Sequence, residues 1–167
     1  MAAEPSHHLA MQVRLESPQQ PEVIALIAEL DAYQDSLYPP EARYALDLAS
    51  LAQPHVLFAV ARDEAGHAVA CAAIVLEAAY GEIKRMFVSP GSRGLGLGRR
   101  LLALLEAEAM ARGCGRVKLE TGPFQPEALA LYAACGYERR GPYGSYADDP
   151  LSVFMQKALT APAADPA

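Results

Sequence analysis

Met11, Val13 and Leu15 alternate with polar neighbours along residues 10–17, which predicts a first strand. Pro18 and Pro21 precede PEVIALIAELDAYQDSL, whose Ile24, Ile27, Ala28 and Leu30 form a helical stripe, with Pro21 suited to the first turn. Pro39 and Pro40 break that helix, and PEARYALDLASLA, 40–52, predicts a shorter second one. HVLFAVAR (55–62), DEAG (63–66) and HAVACAAIVLEAAY (67–80) read as a hairpin of strand, turn and strand. GEIKRMFV, 81–88, adds the next strand, with Ile83, Met86, Phe87 and Val88 ahead of the breakers Pro90 and Gly91. Leu97, Leu101, Leu104 and Leu105 then recur at helical spacing, and Gly113 follows Arg112 as a C-cap. RVKLET (116–121) is a strand and PEALALYAAC (126–135) a helix stopped by Gly136. YERRG begins another strand, PYGSYADDP (142–150) is a long turn, and LSVFMQKAL (151–159) is the last strand.

The predicted order is β-α-α-β-β-β-α-β-α-β-β. A helix between strands 4 and 5 requires a parallel pair joined by a crossover, while the other strands fit antiparallel hairpins. The fold class is therefore a mixed α/β single domain over 1–167, with 1–9 and 160–167 as flexible tails. No internal repeat or coiled-coil heptad interrupts it.

Composition narrows the function. The 167 residues are 52% hydrophobic and 20% charged, as in a globular protein with a real core. No apolar run reaches the length of a membrane span and the start lacks a signal-peptide core, so a cytoplasmic protein without a membrane partner is expected. The net charge of −6 argues against nucleic acid, because no basic stripe exists to meet phosphates. Cys71, Cys114 and Cys135 are scattered, with neither disulfide nor zinc spacing, so reduced thiols and no metal are expected.

Against this acidic background, SRGLGLGRR stands out. Gly94, Gly96 and Gly98 open a helix whose unpaired N–H groups and partial positive charge attract phosphate, and Arg93, Arg99 and Arg100 add donors. A Walker loop fails, because Arg99 stands where its second glycine should. A dinucleotide fingerprint fails at the same residue, and its turn would follow the strand sooner, although Glu120 sits where a ribose-binding acid would. A dinucleotide-binding domain is kept as the lesser alternative.

The pattern R-x-x-G-x-G, as Arg93, Gly96 and Gly98, on a strand ending in MFVSP resembles the acetyl-CoA loop of the GNAT N-acetyltransferase superfamily. ALALYAACGYERRGPY, 128–143, is similar to that family's A-x-x-L-Y-x-x-x-G-F/Y segment. PPE…ALDL, GEIKRM, LETG and DPLSVFM resemble a bacterial small-molecule subgroup of YsnE type. The resemblance implies a GNAT fold, a mixed sheet of about seven strands flanked by about four helices, with strands 4 and 5 parallel and splayed around acetyl-pantetheine. It implies an acetyl-CoA-dependent N-acetyltransferase acting by direct attack in a ternary complex on a small-molecule or amino-acid-like amine. A non-catalytic acyl-CoA-binding module is a further alternative, and a homodimer is kept open.

Amine acetylation requires a neutral amine, donors for an oxyanion and a proton for the leaving thiolate. By the resemblance, Glu82 is the base, directly or through a water, with Glu120 as the alternative. Met86, Phe87 and Val88 offer backbone donors, and Arg93, Gly94, Leu95, Gly96, Leu97, Gly98 and Arg99 hold the pyrophosphate. Gln125 stands where the family often carries an Asn that contacts the cofactor. Tyr132 is the acid; by spacing alone it reads as a core residue, sharing a helical face with Leu129 and Ala133. By the resemblance, the acceptor site lies between the 33–50 segment and the 142–150 turn, with Tyr38, Arg43 and Tyr44 as candidates on one side, Tyr143, Tyr146 and Asp148 on the other, and Glu120 and Thr121 as further candidates.

Overall fold

The computed structural model describes residues 11–160. The expected tails, 1–9 and 160–167, lie outside the described residues except for Thr160. The elements are β1 (Gln12–Leu15), α1 (Pro21–Asp35), α2 (Leu48–Leu51), β2 (Val56–Arg62), β3 (Ala68–Leu76), β4 (Gly81–Val88), α3 (Leu97–Ala111), β5 (Arg116–Thr121), α4 (Pro126–Ala134), β6 (Glu138–Arg140) and β7 (Val153–Ala158). The order of types is the predicted one. Seven strands form one sheet in the order β1-β2-β3-β4-β5-β7-β6, with β4 and β5 parallel and every other neighbour antiparallel.

Layering follows from the near-continuous apolar runs of β2 and β3, which suit burial on both faces. Ala59, Ala61, Ala70, Ala72 and Ile74 face Leu97, Leu101, Leu102 and Leu105 of α3. Phe58, Val60, Cys71, Ala73 and Val75 face Val23, Leu26, Ile27 and Leu30 of α1. Burial pushes the Cys71 thiol up to about 12, so it packs as a small apolar group.

Two breaks in the sheet create the site. In β4 the register against β3 slips: Cys71 pairs with Phe87 and Ala73 with Lys84, which leaves an extra residue on β4. Arg85 absorbs it at φ 58, the one non-glycine residue with positive φ among those described. Ile83 and Phe87 are four apart and would share a face of a regular strand, yet Ile83 packs with α3 and Phe87 with α1. The second break lies between β4 and β5. They pair only at Gly81–Val117, Glu82–Lys118 and Ile83–Leu119, then part. Arg85 and Met86 thus belong to neither ladder.

Side chains hold the bulge. Arg85 donates through Nη1 to Asp31 Oδ1 of α1 at 2.5 Å and through Nε to the Leu46 carbonyl at 3.0 Å. Arg43 donates to the same Asp31 oxygen at 2.9 Å. Burial acts to raise the Asp31 carboxyl, but the bonds from Arg85 and Arg43 outweigh it and hold the group below its usual range. The predicted helix over 40–52 is split as a result. A short 3₁₀ turn, Pro40–Ala42, and the single turn of α2 flank an extended segment. Its carbonyls at Tyr44 and Leu46 are taken by Lys84 and Arg85 of β4, so tertiary donors replace the helical ones. Asp31→Ala should cost about 1–2 kcal/mol in urea unfolding, less than a fully buried pair because Asp31 is 39% exposed.

Candidate active site

The loop before α3 places two glycines in the left-handed region, Gly94 at φ 81 and Gly96 at φ 76. A Cβ at either meets nothing within 4 Å, so backbone conformation rather than space demands glycine here. Gly96 caps α3 with no side-chain bond, and Arg100 is the first residue whose N–H bonds back, to the Gly96 carbonyl at 3.1 Å. The N–H groups of Leu97, Gly98 and Arg99 have no backbone partner among the described residues.

These groups border a cavity of about 270 Å³, lined also by Met86, Phe87 and Val88 of β4, Leu30 and Tyr33 of α1, Gln125 at the start of α4, and Glu127, Ala128 and Leu131 of α4. Gly98 also serves packing, since a Cβ there would meet Leu131 Cδ2 at 2.7 Å. Arg93 lines the cavity, donates to the Val88 carbonyl at 3.1 Å and sets its guanidinium over the Tyr33 ring. Two side chains of the loop and helix start face away from the cavity. Leu95 is 36% exposed and lies outside the cavity lining, because the glycines on either side turn its side chain outward. Arg100 donates to the Met11 carbonyl at 2.9 Å, across the end of the sheet. Gly96→Val should lower affinity for a pyrophosphate ligand by about tenfold or more in titration calorimetry, because a branched residue resists positive φ and would displace the loop.

A second, smaller cavity of about 80 Å³ opens from the splay of β4 and β5. It meets the first at Leu30, Met86, Gln125 and Ala128, which line both. Gln125 is 8% exposed and its side-chain amide has no hydrogen-bond partner among the described residues. An unpaired amide that opens to the junction of two cavities fits a ligand with its own amides. Tyr132 of α4 lines the second cavity, and its hydroxyl is likewise without a partner among the described residues. Burial pushes its phenol up, so it stays protonated as a donor.

Of the expected acceptor residues, Tyr38, Arg43, Tyr44, Glu120 and Thr121 line this cavity together. Tyr38 stacks on Phe124 at 5.4 Å between ring centroids and accepts the Phe124 N–H at 3.0 Å. The ring lies against Gly122, where a Cβ would sit 1.9 Å from the Tyr38 oxygen, so only glycine fits. Glu120 is half-buried. Burial raises its carboxyl; the Ser152 side chain and Lys84 oppose the rise, and Glu82 and Asp149 add to it.

Glu82 is placed differently from expectation. It does not line either cavity. One of its oxygens accepts from Tyr143 at 2.5 Å and from Tyr146 at 2.6 Å, with Lys84 Nζ at 3.6 Å. Tyr143 and Tyr146 are thereby turned to Glu82 rather than to the cavity. Lys84 links the two groups, donating to the Tyr146 hydroxyl at 2.5 Å and the Tyr44 carbonyl at 2.9 Å.

The model of the acetyltransferase (GNAT) family matches residues 23–137. The chain belongs to the GNAT acetyltransferase family. Among its relatives, the chain is 51% identical to an IAA acetyltransferase of Azospirillum brasilense, over 86% of this chain and 95% of that one. It is 33% identical to the uncharacterized N-acetyltransferase YsnE of Bacillus subtilis, over 89% and 100%. A solved structure from Klebsiella pneumoniae, assigned to the acyl-CoA N-acyltransferases, superposes with TM-score 0.77 at 41% identity, over 90% and 98%. The fold also matches the PaiA N-acetyltransferase of Thermoplasma acidophilum in complex with coenzyme A, with TM-score 0.68 at 15% identity, over 89% and 98%.

This GNAT chain is an acyltransferase of the mixed α/β fold expected, and the dinucleotide-binding alternative falls. GNAT acetyltransferases use acetyl-CoA, and the two left-handed glycines, the open helix start and the unpaired Gln125 amide fit that substrate. Several cavity residues had no sequence signal. Tyr33 donates to Glu127 Oε1 at 2.7 Å, tying α1 to α4 beside the cofactor cavity. Gln34 of α1, Lys84 and Arg85 of β4 and Leu151 ahead of β7 line the second cavity, and although the last three fall within GEIKRM and DPLSVFM, those segments marked a resemblance and gave none of them a role in the site.

Proposed function

We propose that this GNAT protein transfers the acetyl group of acetyl-CoA to the amine of a small-molecule or amino-acid-like acceptor, by direct attack in a ternary complex. The observation that carries the reading is the junction itself. One cavity ends at an open helix start suited to pyrophosphate, the other holds a half-buried carboxylate, and they meet at Met86, beside the bulge. Presenting an alkylamine neutral at pH 7 costs roughly 4–5 kcal/mol, so a base is needed. Glu120 takes that role in place of Glu82: it faces the cavity, and burial favours its accepting a proton. Met86, outside both strand ladders, offers its N–H to the oxygen that gains charge. Tyr132 donates its hydroxyl to the departing sulfur.

Acetyl-CoA should raise the melting temperature, by the equivalent of about 2.7 kcal/mol at a hundred times its Kd, while NADH should not. Thiol release should then depend on added amine. A shift with NADH and none with acetyl-CoA would overturn the cofactor assignment, and acetyl transfer to no amine would overturn the acceptor reading.

A further inference from the structure

The charges around the second cavity are unevenly matched. Its lining cations are Arg43, Lys84 and Arg85, and each already faces a carboxylate. Arg43 meets Asp31 and Asp35, Arg85 meets Asp31, and Lys84 meets Glu82. Arg43 gives Nη1 to Asp35 and Nη2 to Asp31 and Gln34, while Arg85 gives Nε to the Leu46 carbonyl and Nη1 to Asp31. Neither guanidinium therefore presents an unshared pair of nitrogens, the fork that recognises a carboxylate. Glu120 is the reverse case. It lines the cavity and forms no ion pair among the described residues. The charges that act on it are Lys84 on one side and Glu82 and Asp149 on the other. Lys84 is also shared with the Tyr44 carbonyl and the Tyr146 hydroxyl.

We infer that the acceptor is a cationic amine with no carboxylate beside its nitrogen. The inference rests on the amine-transfer reading and narrows it, excluding free α-amino acids. An ammonium entering the cavity supplies the counter-charge that Glu120 lacks, and the lining rings of Tyr38 and Tyr44 tolerate a cation. An α-carboxylate is one carbon from the nitrogen that must reach Glu120. It would be carried into the field of Glu120, Glu82 and Asp149, with no unshared fork to receive it.

The test compares acceptors matched in their side group: tyramine, tyrosine and tyrosine amide; benzylamine, phenylglycine and phenylglycine amide; histamine, histidine and histidine amide, with each kcat/KM referred to the neutral fraction of the amine, because an α-carboxylate and an α-amide change the basicity of the nitrogen beside them. The amide has the bulk of the acid without its charge, so it separates electrostatics from fit. In each set that is turned over, kcat/KM for the free acid should be about 10²-fold below that for the amide, the scale of a like-charge contact partly screened by water. Asp149→Asn keeps an oxygen to accept the Leu151 N–H and should narrow that gap by about three- to tenfold. A free acid used as well as its amide, or a gap that Asp149→Asn leaves unchanged, overturns this inference while amine transfer stands. Transfer to no compound in any set overturns amine transfer, and this inference with it.

Discussion

Tyr132→Phe is expected to lower kcat by about 10²–10⁴, the usual span for a positioned acid, with acetyl-CoA affinity little changed. The substitution keeps the ring, which stands edge-on to Tyr137 at 5.8 Å, and removes a hydroxyl that has no partner among the described residues. Stability should therefore move by less than roughly 1 kcal/mol, the net worth of one hydrogen bond. A loss confined to kcat, seen in steady-state kinetics beside an unchanged melting temperature, is the signature of a proton needed only as the thiolate leaves. The loss should shrink with an acyl donor whose thiol is more acidic. Unchanged kcat on a good acceptor would return Tyr132 to a packing role.

Glu120→Gln should lower kcat over a similar range of about 10²–10⁴, whereas Glu82→Gln should change it by less than about tenfold. The contrast follows from placement: Glu120 faces the cavity, while Glu82 is held by Tyr143 and Tyr146 outside it. In the parent protein the rate should fall as pH drops through the raised Glu120 value, and the Gln variant should lack that limb. Stability carries the opposite sign. A carboxyl whose folded value is raised destabilises the fold as pH rises from its unfolded value through its folded one. Below the unfolded value, near 4.3, parent and variant should melt alike from this group, and at neutral pH the Gln variant should melt higher. Equal activity of the two Glu120 forms, or a larger loss from Glu82→Gln, would move the base elsewhere.

Residues close together in the chain made most of the fold legible. Alternation in 10–17 and 55–62, the leucine spacing of 97–105 and the glycine stops at 113 and 136 each act within one or two turns of backbone. The element order followed, and a parallel β4–β5 pair with it. The glycine loop was legible for the same reason, since positive φ at Gly94 and Gly96 is a local requirement.

What the sequence left open depends on segments far apart. The extra residue of β4 has no signal in the sequence, where GEIKRMFV reads as a plain strand. It becomes a bulge because Asp31, on a helix against the other side of β4, binds Arg85 and holds it at positive φ. The same contacts unwound the helix expected over 40–52, overriding local propensity with donors from β4. Where Glu82 and Glu120 sit relative to the cavity was likewise tertiary. Both stand on strands of the parallel pair, and the family resemblance pointed to the first as base. Tyr143 and Tyr146, some sixty residues away, occupy Glu82, while the parting of β4 and β5 after Ile83 and Leu119 leaves Glu120 facing the opened space. Local pattern thus fixes which elements form and where the backbone must be glycine. Which charged side chain meets the cavity depends on what reaches it first from elsewhere in the chain.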